Sequence, residues 1–492
     1  MRLLLAAIGL VLLTSATRLP ALLHPRPIDD EGIYSVVANE ILDGGKPYLD
    51  AVERKPPLLF YTYAAIYSVA GKYNWYALHL SALLWTLATM GGLYTIGRAL
   101  FDTRTGLVAA LLYSLFQPAI SFKNIQFDGE LLMNLPIVWA CAIAFASDKA
   151  KSRPFVFLAG LLCCLGFLLK QPGAIAAVPL GLYLLLPAYR ASRSLTTADC
   201  LRQFAIFAAG FWITLGLAVL FLYQQGILRD AIYWTMRDHA STIFFPDRCL
   251  RSTAIFVAAC LPLLVAALSA HDVWIAKRAE WCALVMLLIA SAIGVSAGGR
   301  FYSHYYNQLL PPLALLAAPF FSRGWFRKAN AFSRWLCHPA ILGIWVVLTI
   351  VIFPIVKWRE LIEFRQPTAA GVYLREHHSR NARLFVWGQM PRIYLQAQMR
   401  PACRYVSTFA LTGYVFGGPI PGLDTHSLIR PGAWENLQHD FALHPPEYIV
   451  EVQNEDVNYK IADFPILRDY IAKNFVLDAR TAEGPIYRRI TP

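Results

Sequence analysis

Charge is what this chain has least of. Lys, Arg, Asp and Glu make up 15% of its 492 residues, against 57% hydrophobic residues, and the mean hydropathy is +0.45. A soluble domain carries about 25% charged residues, so a water-soluble globule is excluded and a polytopic membrane protein is indicated. Also lacking are a Walker loop, a Rossmann glycine fingerprint, an HExxH motif and any tandem repeat. Without them, ATP-driven transport and zinc proteolysis have none of their usual residues. Cysteine is present, but its nine copies make no disulfide framework. Cys141, Cys163, Cys164, Cys260 and Cys282 fall within apolar runs, where a thiol is a small apolar side chain. Only Cys249 and Cys403 fall together on the outer side, and a bridge between them stays an open alternative.

The net charge of +13 does not point to nucleic acid, because the Lys and Arg punctuate hydrophobic runs instead of clustering on a soluble face. A bilayer-crossing helix needs about 20 apolar residues. That length gives eleven spans, at 3–23, 76–99, 107–121, 131–147, 155–169, 173–188, 204–223, 252–270, 281–297, 308–321 and 340–356. A further apolar stretch, Leu58 to Ala70, is short and rich in Tyr, and reads as a helix lying at the membrane interface. Alternate loops hold the basic residues, among them Arg98, Arg104, Lys149, Arg190, Lys277 and Arg327, and are cytoplasmic by the positive-inside rule. The first loop belongs to the opposite set, with seven acids against five bases, and faces outward.

The predicted organisation is therefore an all-α transmembrane domain over 1–357, with a long first outward loop at 24–75, and a small extracytoplasmic α/β domain over 358–492. The first segment reads as an anchor with a cytoplasmic N-terminus, since Thr14-Ser15-Ala16-Thr17-Arg18 does not resemble a cleavage site. In the tail, "ARLFVWGQMPRIYLQ", "PPEYIVEV" and "GPIYRRI" are β-prone, and "TAAGVYLREHH" and "FPILRDYIAKNF" are helical.

The charges that remain to be explained gather in the outward loops. Asp29-Asp30-Glu31 opens a run in which Ile33, Val36, Val37 and Ile41 recur at helical spacing, and Asp43-Gly44-Gly45 stops it. One acid would serve as an N-cap, whereas three adjacent carboxylates at a membrane surface ask for a cation or a reaction. Downstream, Glu53-Arg54-Lys55-Pro56-Pro57 sets Lys55 in extended chain before a helix start, as a solvated tip or as a fixed cation for a phosphate. Asp128 and Glu130 stand at the mouth of the fourth span, where a buried charge is functional by default and a solvated loop end is the alternative. Lys170 ends the fifth span at a Pro break. Arg300, Tyr302, His304, Tyr305 and Tyr306 crowd the loop after the ninth; an interfacial Tyr belt explains the aromatics but not the Arg and His.

Three stretches, "DDEGIYSVVANEILDGGKPYLDAVERKPPLLFYTYA", "FDGELLMNLP" and "GRFYSHYYNQLLPPLALLA", resemble the GT-C glycosyltransferases in the same order along the membrane region. The nearest groups are bacterial relatives of the protein O-mannosyltransferases, the aminoarabinose lipid A transferase and rhizobial galacturonosyltransferases. The resemblance implies a bacterial inner-membrane enzyme that moves a sugar from a polyprenyl monophosphate to a hydroxyl of an envelope lipid, glycan or protein at the outer face. It places the general base on Asp30. Lys55, Arg54, Lys170 and Arg300 are then the cations for the lipid phosphate. Glu31, Glu53, Asp128, Glu130, Tyr302, His304 and Tyr305 are candidates for binding substrate or a divalent cation, with no metal assigned. One departure stands out, since the aminoarabinose transferase carries Glu directly before Lys-Pro-Pro and this chain carries Arg54 there. A transporter or flippase of a lipid-linked saccharide is the alternative, although the charges gather on the outer side and no two similar halves are evident.

Overall fold

The computed structural model describes residues 2–27, 29–145, 152–238, 243–322, 330–348, 366–416, 424–453 and 459–490. The chain separates into two compact units. One comprises 1–25, 78–223 and 239–361; the other gathers 26–77, 224–238 and 362–492.

The first unit is helical. Trp75–Leu100, Thr197–Gln224, Pro246–Ser269 and His271–Ser296 are each long and apolar enough to cross a membrane, and Gly173–Tyr183 with Pro187–Arg193 makes a fifth if the pair, bent by 56°, is one span. The protein is accordingly a multi-pass membrane protein. The other expected spans are shorter or interrupted helices, including Thr103–Ile120, Gly129–Phe145, Arg153–Leu169 and Leu310–Ser322. Of the expected 340–356 span, only Pro339–Val346 is an assigned helix, and 349–356 lies outside the described residues, as do Lys149, Arg327 and Lys357.

Expected span 3–23 is broken into Arg2–Thr17 and Leu19–Leu23. The cause is Arg18. It is buried, and its guanidinium donates to the Ile125 carbonyl at 2.5 Å, Thr86 Oγ1 at 2.6 Å and Gln117 Oε1 at 2.7 Å. A charge inside an apolar bundle persists only when its donors are satisfied in this way.

Helices in this unit approach closely at glycines. A Cβ on Gly160 would lie 1.9 Å from the Phe207 carbonyl oxygen, and one on Gly210 would lie 2.1 Å from that of Phe157. Arg153–Leu169 and Thr197–Gln224 thus cross with their backbones in contact, as small residues allow between membrane helices. Leu93, Tyr113, Leu263, Leu284 and Phe320 belong to the buried core. Trp212, Leu217, Tyr223, Leu250 and Leu268 stay more than half exposed, a surface suited to lipid.

In the second unit, the acidic run of the first loop opens the helix Asp29–Leu42, and Gly44 follows at φ +86°. Pro56 is extended, and the helix Pro57–Ala70 starts directly after it, as proline at the first helical position favours. The two helices meet through Ser35 and the Tyr67 hydroxyl at 2.8 Å and through Tyr34 set edge-on to Phe60 and Tyr63.

The tail forms a five-stranded sheet in the order β2-β1-β3-β5-β4. The strands are β1 (Arg383–Trp387), β2 (Arg400–Pro401), β3 (Tyr448–Glu451), β4 (Phe475–Arg480) and β5 (Pro485–Arg489). Strand β1 is parallel to β2 and β3, and β5 is antiparallel to β3 and β4, with an irregularity at Leu477 and Ala479. Three strands and two helices fall where the sequence places them. Two features differ: "RIYLQ" is the helix Arg392–Ala397, and Phe475 begins a strand instead of ending a helix. All nine cysteines are free thiols, so Cys249 and Cys403 form no bridge.

Candidate functional site

The first loop presents its acids in two environments. Asp30 is half-buried in the first turn of Asp29–Leu42, and the hydroxyl of Tyr34, one turn on, donates to its Oδ2 at 3.1 Å. A carboxylate at a helix N-terminus is stabilised by the dipole, and one oxygen held by a phenol fixes its orientation. Glu31 is completely buried. Burial pushes the Tyr67 phenol up, and the nearby Glu31 carboxylate adds to that shift.

The loop between the two helices is under strain. Tyr48 is buried and has φ +70°, a backbone region costly for a bulky residue. Its hydroxyl donates to the Lys55 carbonyl at 2.8 Å, while Lys55 Nζ stands 3.8 Å from Glu53 Oε1. Arg54 points into protein. Its guanidinium lies over the rings of Phe409 (4.9 Å) and Phe416 (4.7 Å) and 3.6 Å from the buried Asp238, which also pairs with Arg430. Asp238 closes the segment 224–238, whose five-residue π-helix Tyr233–Arg237 sets Trp234 edge-on to Phe409. Nothing in the local sequence marks Asp238 or Arg430 as partners of Arg54, because the contacts join three distant stretches. Tyr34 was visible at i+4 from Asp30.

In the helical unit, a second group assembles from three separate loops. Asp128 caps Gly129–Phe145 by accepting from the Leu131 amide at 3.1 Å. Asp128, Glu130 and His304 are all buried, with one ligand atom from each within 4.8 Å of the others. Lys170, at the C-terminus of Arg153–Leu169, is buried and paired with Glu130, and its ammonium sits 4.5 Å from the centre of the Tyr305 ring. His304 stacks on Tyr302 at 5.6 Å and meets Tyr305 edge-on at 4.8 Å. Two carboxylates thus face one fixed ammonium and an imidazole in low dielectric, where each charge acts strongly on whatever enters.

Arg300 joins this group through its backbone. Its carbonyl accepts from Arg248 at 3.3 Å, and that guanidinium lies 4.7 Å above Tyr302. Beneath it runs an amide network that sequence reading missed. Asn134 donates to the Tyr113 hydroxyl at 3.4 Å and to the Asn307 carbonyl at 3.2 Å, and Gln117 donates to Tyr113 at 3.2 Å. The available signal was polar amides inside apolar runs.

The profile of the family described as dolichyl-phosphate-mannose-protein mannosyltransferase matches residues 54–215. No curated protein sequence matches the chain. Among solved structures, ArnT from Cupriavidus metallidurans bound to undecaprenyl phosphate is similar at a TM-score of 0.59 and 13% identity, covering 98% of this chain and 98% of that one. Its apo form gives 0.59 and 14%, covering 99% and 98%. The archaeal oligosaccharyltransferase AglB from Archaeoglobus fulgidus, in complex with an inhibitory peptide and a dolichol-phosphate, gives 0.54 and 13%, covering 91% of this chain and 69% of that one.

Proposed function

From a chain whose fold is that of the GT-C glycosyltransferases, we propose an integral-membrane enzyme that transfers a sugar from a polyprenyl monophosphate to an acceptor hydroxyl at the outer face, with inversion. The observation that carries this reading is end-to-end similarity to ArnT bound to a polyprenyl phosphate, in a chain that carries Asp30 and Lys55 in its first loop. Eleven spans, a cytoplasmic N-terminus and an extracytoplasmic tail from about residue 358 belong to the same proposal.

Asp30 takes the proton of the acceptor hydroxyl as its oxygen attacks the anomeric carbon, the bond to the phosphate oxygen breaks, and polyprenyl phosphate leaves. The Tyr34 hydroxyl donates to one carboxylate oxygen and so orients the base. Lys55, Lys170 and Arg300 offset the charge that develops on the leaving phosphate. Arg54 serves the same end by fixing the loop that carries Lys55. Asp128, Glu130 and His304 have the oxygen and imidazole donors of a divalent-cation site, and such a cation would add positive charge there. Lys170 already supplies an ammonium to Glu130 and competes for it. Tyr302 and Tyr305 flank His304 as substrate-contacting rings.

Incubating the purified protein with a labelled polyprenyl-phosphate sugar and envelope acceptors tests the proposal. Free polyprenyl phosphate together with a labelled acceptor is the expected result. Movement of the intact lipid across a bilayer without bond cleavage would establish a flippase instead.

A further inference from the structure

The tail holds two adjoining cavities that the proposed chemistry does not use. One, of about 520 Å³, is lined by Arg380, Arg383, Arg488 and Arg489 with Glu447 and Ser379. Four arginines and one carboxylate line it, and that carboxylate is already engaged: Glu447 accepts from the Ser379 amide at 3.3 Å and from its hydroxyl. Arg488 pairs with Asp478 at 2.9 Å, and Arg383 donates to the Pro401 carbonyl at 2.8 Å and lies 3.9 Å from Glu40, which leaves Arg380 and Arg489 to supply the charge. Arg380 and Arg489 have no ion-pair partner among the described residues. Both are held in place by backbone: Arg380 precedes Asn381 at φ +71°, and the Arg489 amide donates to the Glu447 carbonyl at 2.9 Å.

The second cavity, of about 310 Å³, shares Arg489 and Pro445 with the first. Its walls include the rings of Phe441 and Tyr470, 5.2 Å apart, and the amide side chains of Gln438 and Asn474. Each cavity falls within the usual size of a small-molecule site, about 300–1,000 Å³. Guanidiniums are matched to phosphate and carboxylate oxygens. An aromatic face beside planar amides suits the C–H face and hydroxyls of a sugar ring. Arg489, common to both, ties the two chemistries to one ligand.

We propose that the paired cavities bind an anionic saccharide, a glycan that carries a phosphate or a carboxylate close to a ring stacked on Tyr470. Its role as the acceptor rests on the glycosyl-transfer reading, whereas binding itself does not. The test therefore uses no donor: full-length protein in nanodiscs of neutral phosphatidylcholine is titrated calorimetrically with a hexuronic acid trisaccharide, glucose 6-phosphate, inorganic phosphate and neutral maltotriose.

The expected result is binding of the acidic trisaccharide at least tenfold tighter than maltotriose, weakened by salt. It should fall at least tenfold in Arg380→Gln/Arg489→Gln, both surface substitutions whose fold is verified by circular dichroism. Tyr470→Ala should weaken trisaccharide binding and leave inorganic phosphate unchanged. Glucose 6-phosphate against the uronic acid separates a phosphate from a carboxylate ligand. Equal affinity for maltotriose or wild-type affinity in the double arginine variant would overturn the proposal.

Discussion

Asp30 and the Glu130–Lys170 pair exert opposite demands on the protein. Asp30 is half-exposed and accepts from the Tyr34 phenol, a bond that an asparagine oxygen accepts equally well, so Asp30→Asn should leave insertion and the melting midpoint unchanged. Loss of a general base costs about 10²–10⁴-fold in rate. Transfer should therefore fall by that factor in an assay of acceptor labelling, with donor KM unaltered. Glu130 and Lys170 are buried and joined. Breaking such a pair leaves an uncompensated charge and costs about 3–5 kcal/mol, so Glu130→Gln should melt well below the wild type in detergent. Glu130→Gln with Lys170→Met should recover most of that loss while staying inactive. Asp30 was legible because its neighbours in sequence are its neighbours in space. The pairing of Lys170 with Glu130, 40 residues away, follows from helix packing, which one sequence does not encode locally. Arg54 shows the same limit: its charge was visible, its burial between Phe409 and Phe416 was not.

Helices were read with less trouble than strands, because the membrane demands long apolar runs. The expected 76–99 is the helix Trp75–Leu100, and 204–223 lies inside Thr197–Gln224. Departures came where a polar group overrides hydropathy, as at Arg18, or where a strand has no alternating face, as in β4, whose residues after Phe475 are mostly exposed. Neither sequence period was available to mark that strand. The closest helix contact carries its own prediction. At Gly160 any side chain meets the Phe207 carbonyl, so Gly160→Leu should separate Arg153–Leu169 from Thr197–Gln224 and lower both yield and melting midpoint in detergent. A leucine at Gly216, whose Cβ would meet nothing within 4 Å, should be tolerated.

On the scale of the whole chain, pH and truncation probe the tail. Tyr373 donates to Asp478 at 2.8 Å, and that bond, with some burial, pushes the phenol up to about 12. Partial burial alone would raise the Asp478 carboxyl, but hydrogen bonds from Tyr373 and Arg488 outweigh it and hold the group below its usual range. A depressed carboxyl stabilises the fold above its unfolded value, about 3.9, and the benefit is lost as pH falls through the lower folded value. A raised phenol acts in the reverse sense: its contribution is complete below about 10 and disappears as pH rises toward about 12. Melting against pH should therefore drop at both extremes, and Asp478→Asn should flatten both limbs. Deleting residues from Gln366 onward removes the partners of Glu40 and Val52 and the rings over Arg54. The first loop should then become sensitive to protease and transfer should fall, although Asp30 and Lys55 remain in the chain. The ion pair between Glu40 and Arg400 spans 360 residues, and this sets a clock on biogenesis. At about 5–20 residues per second, the ribosome reaches Arg400 roughly 18–72 s after the first loop is made. For that interval the loop stands without the sheet that braces it, and a quality-control protease has its clearest view of the newborn chain.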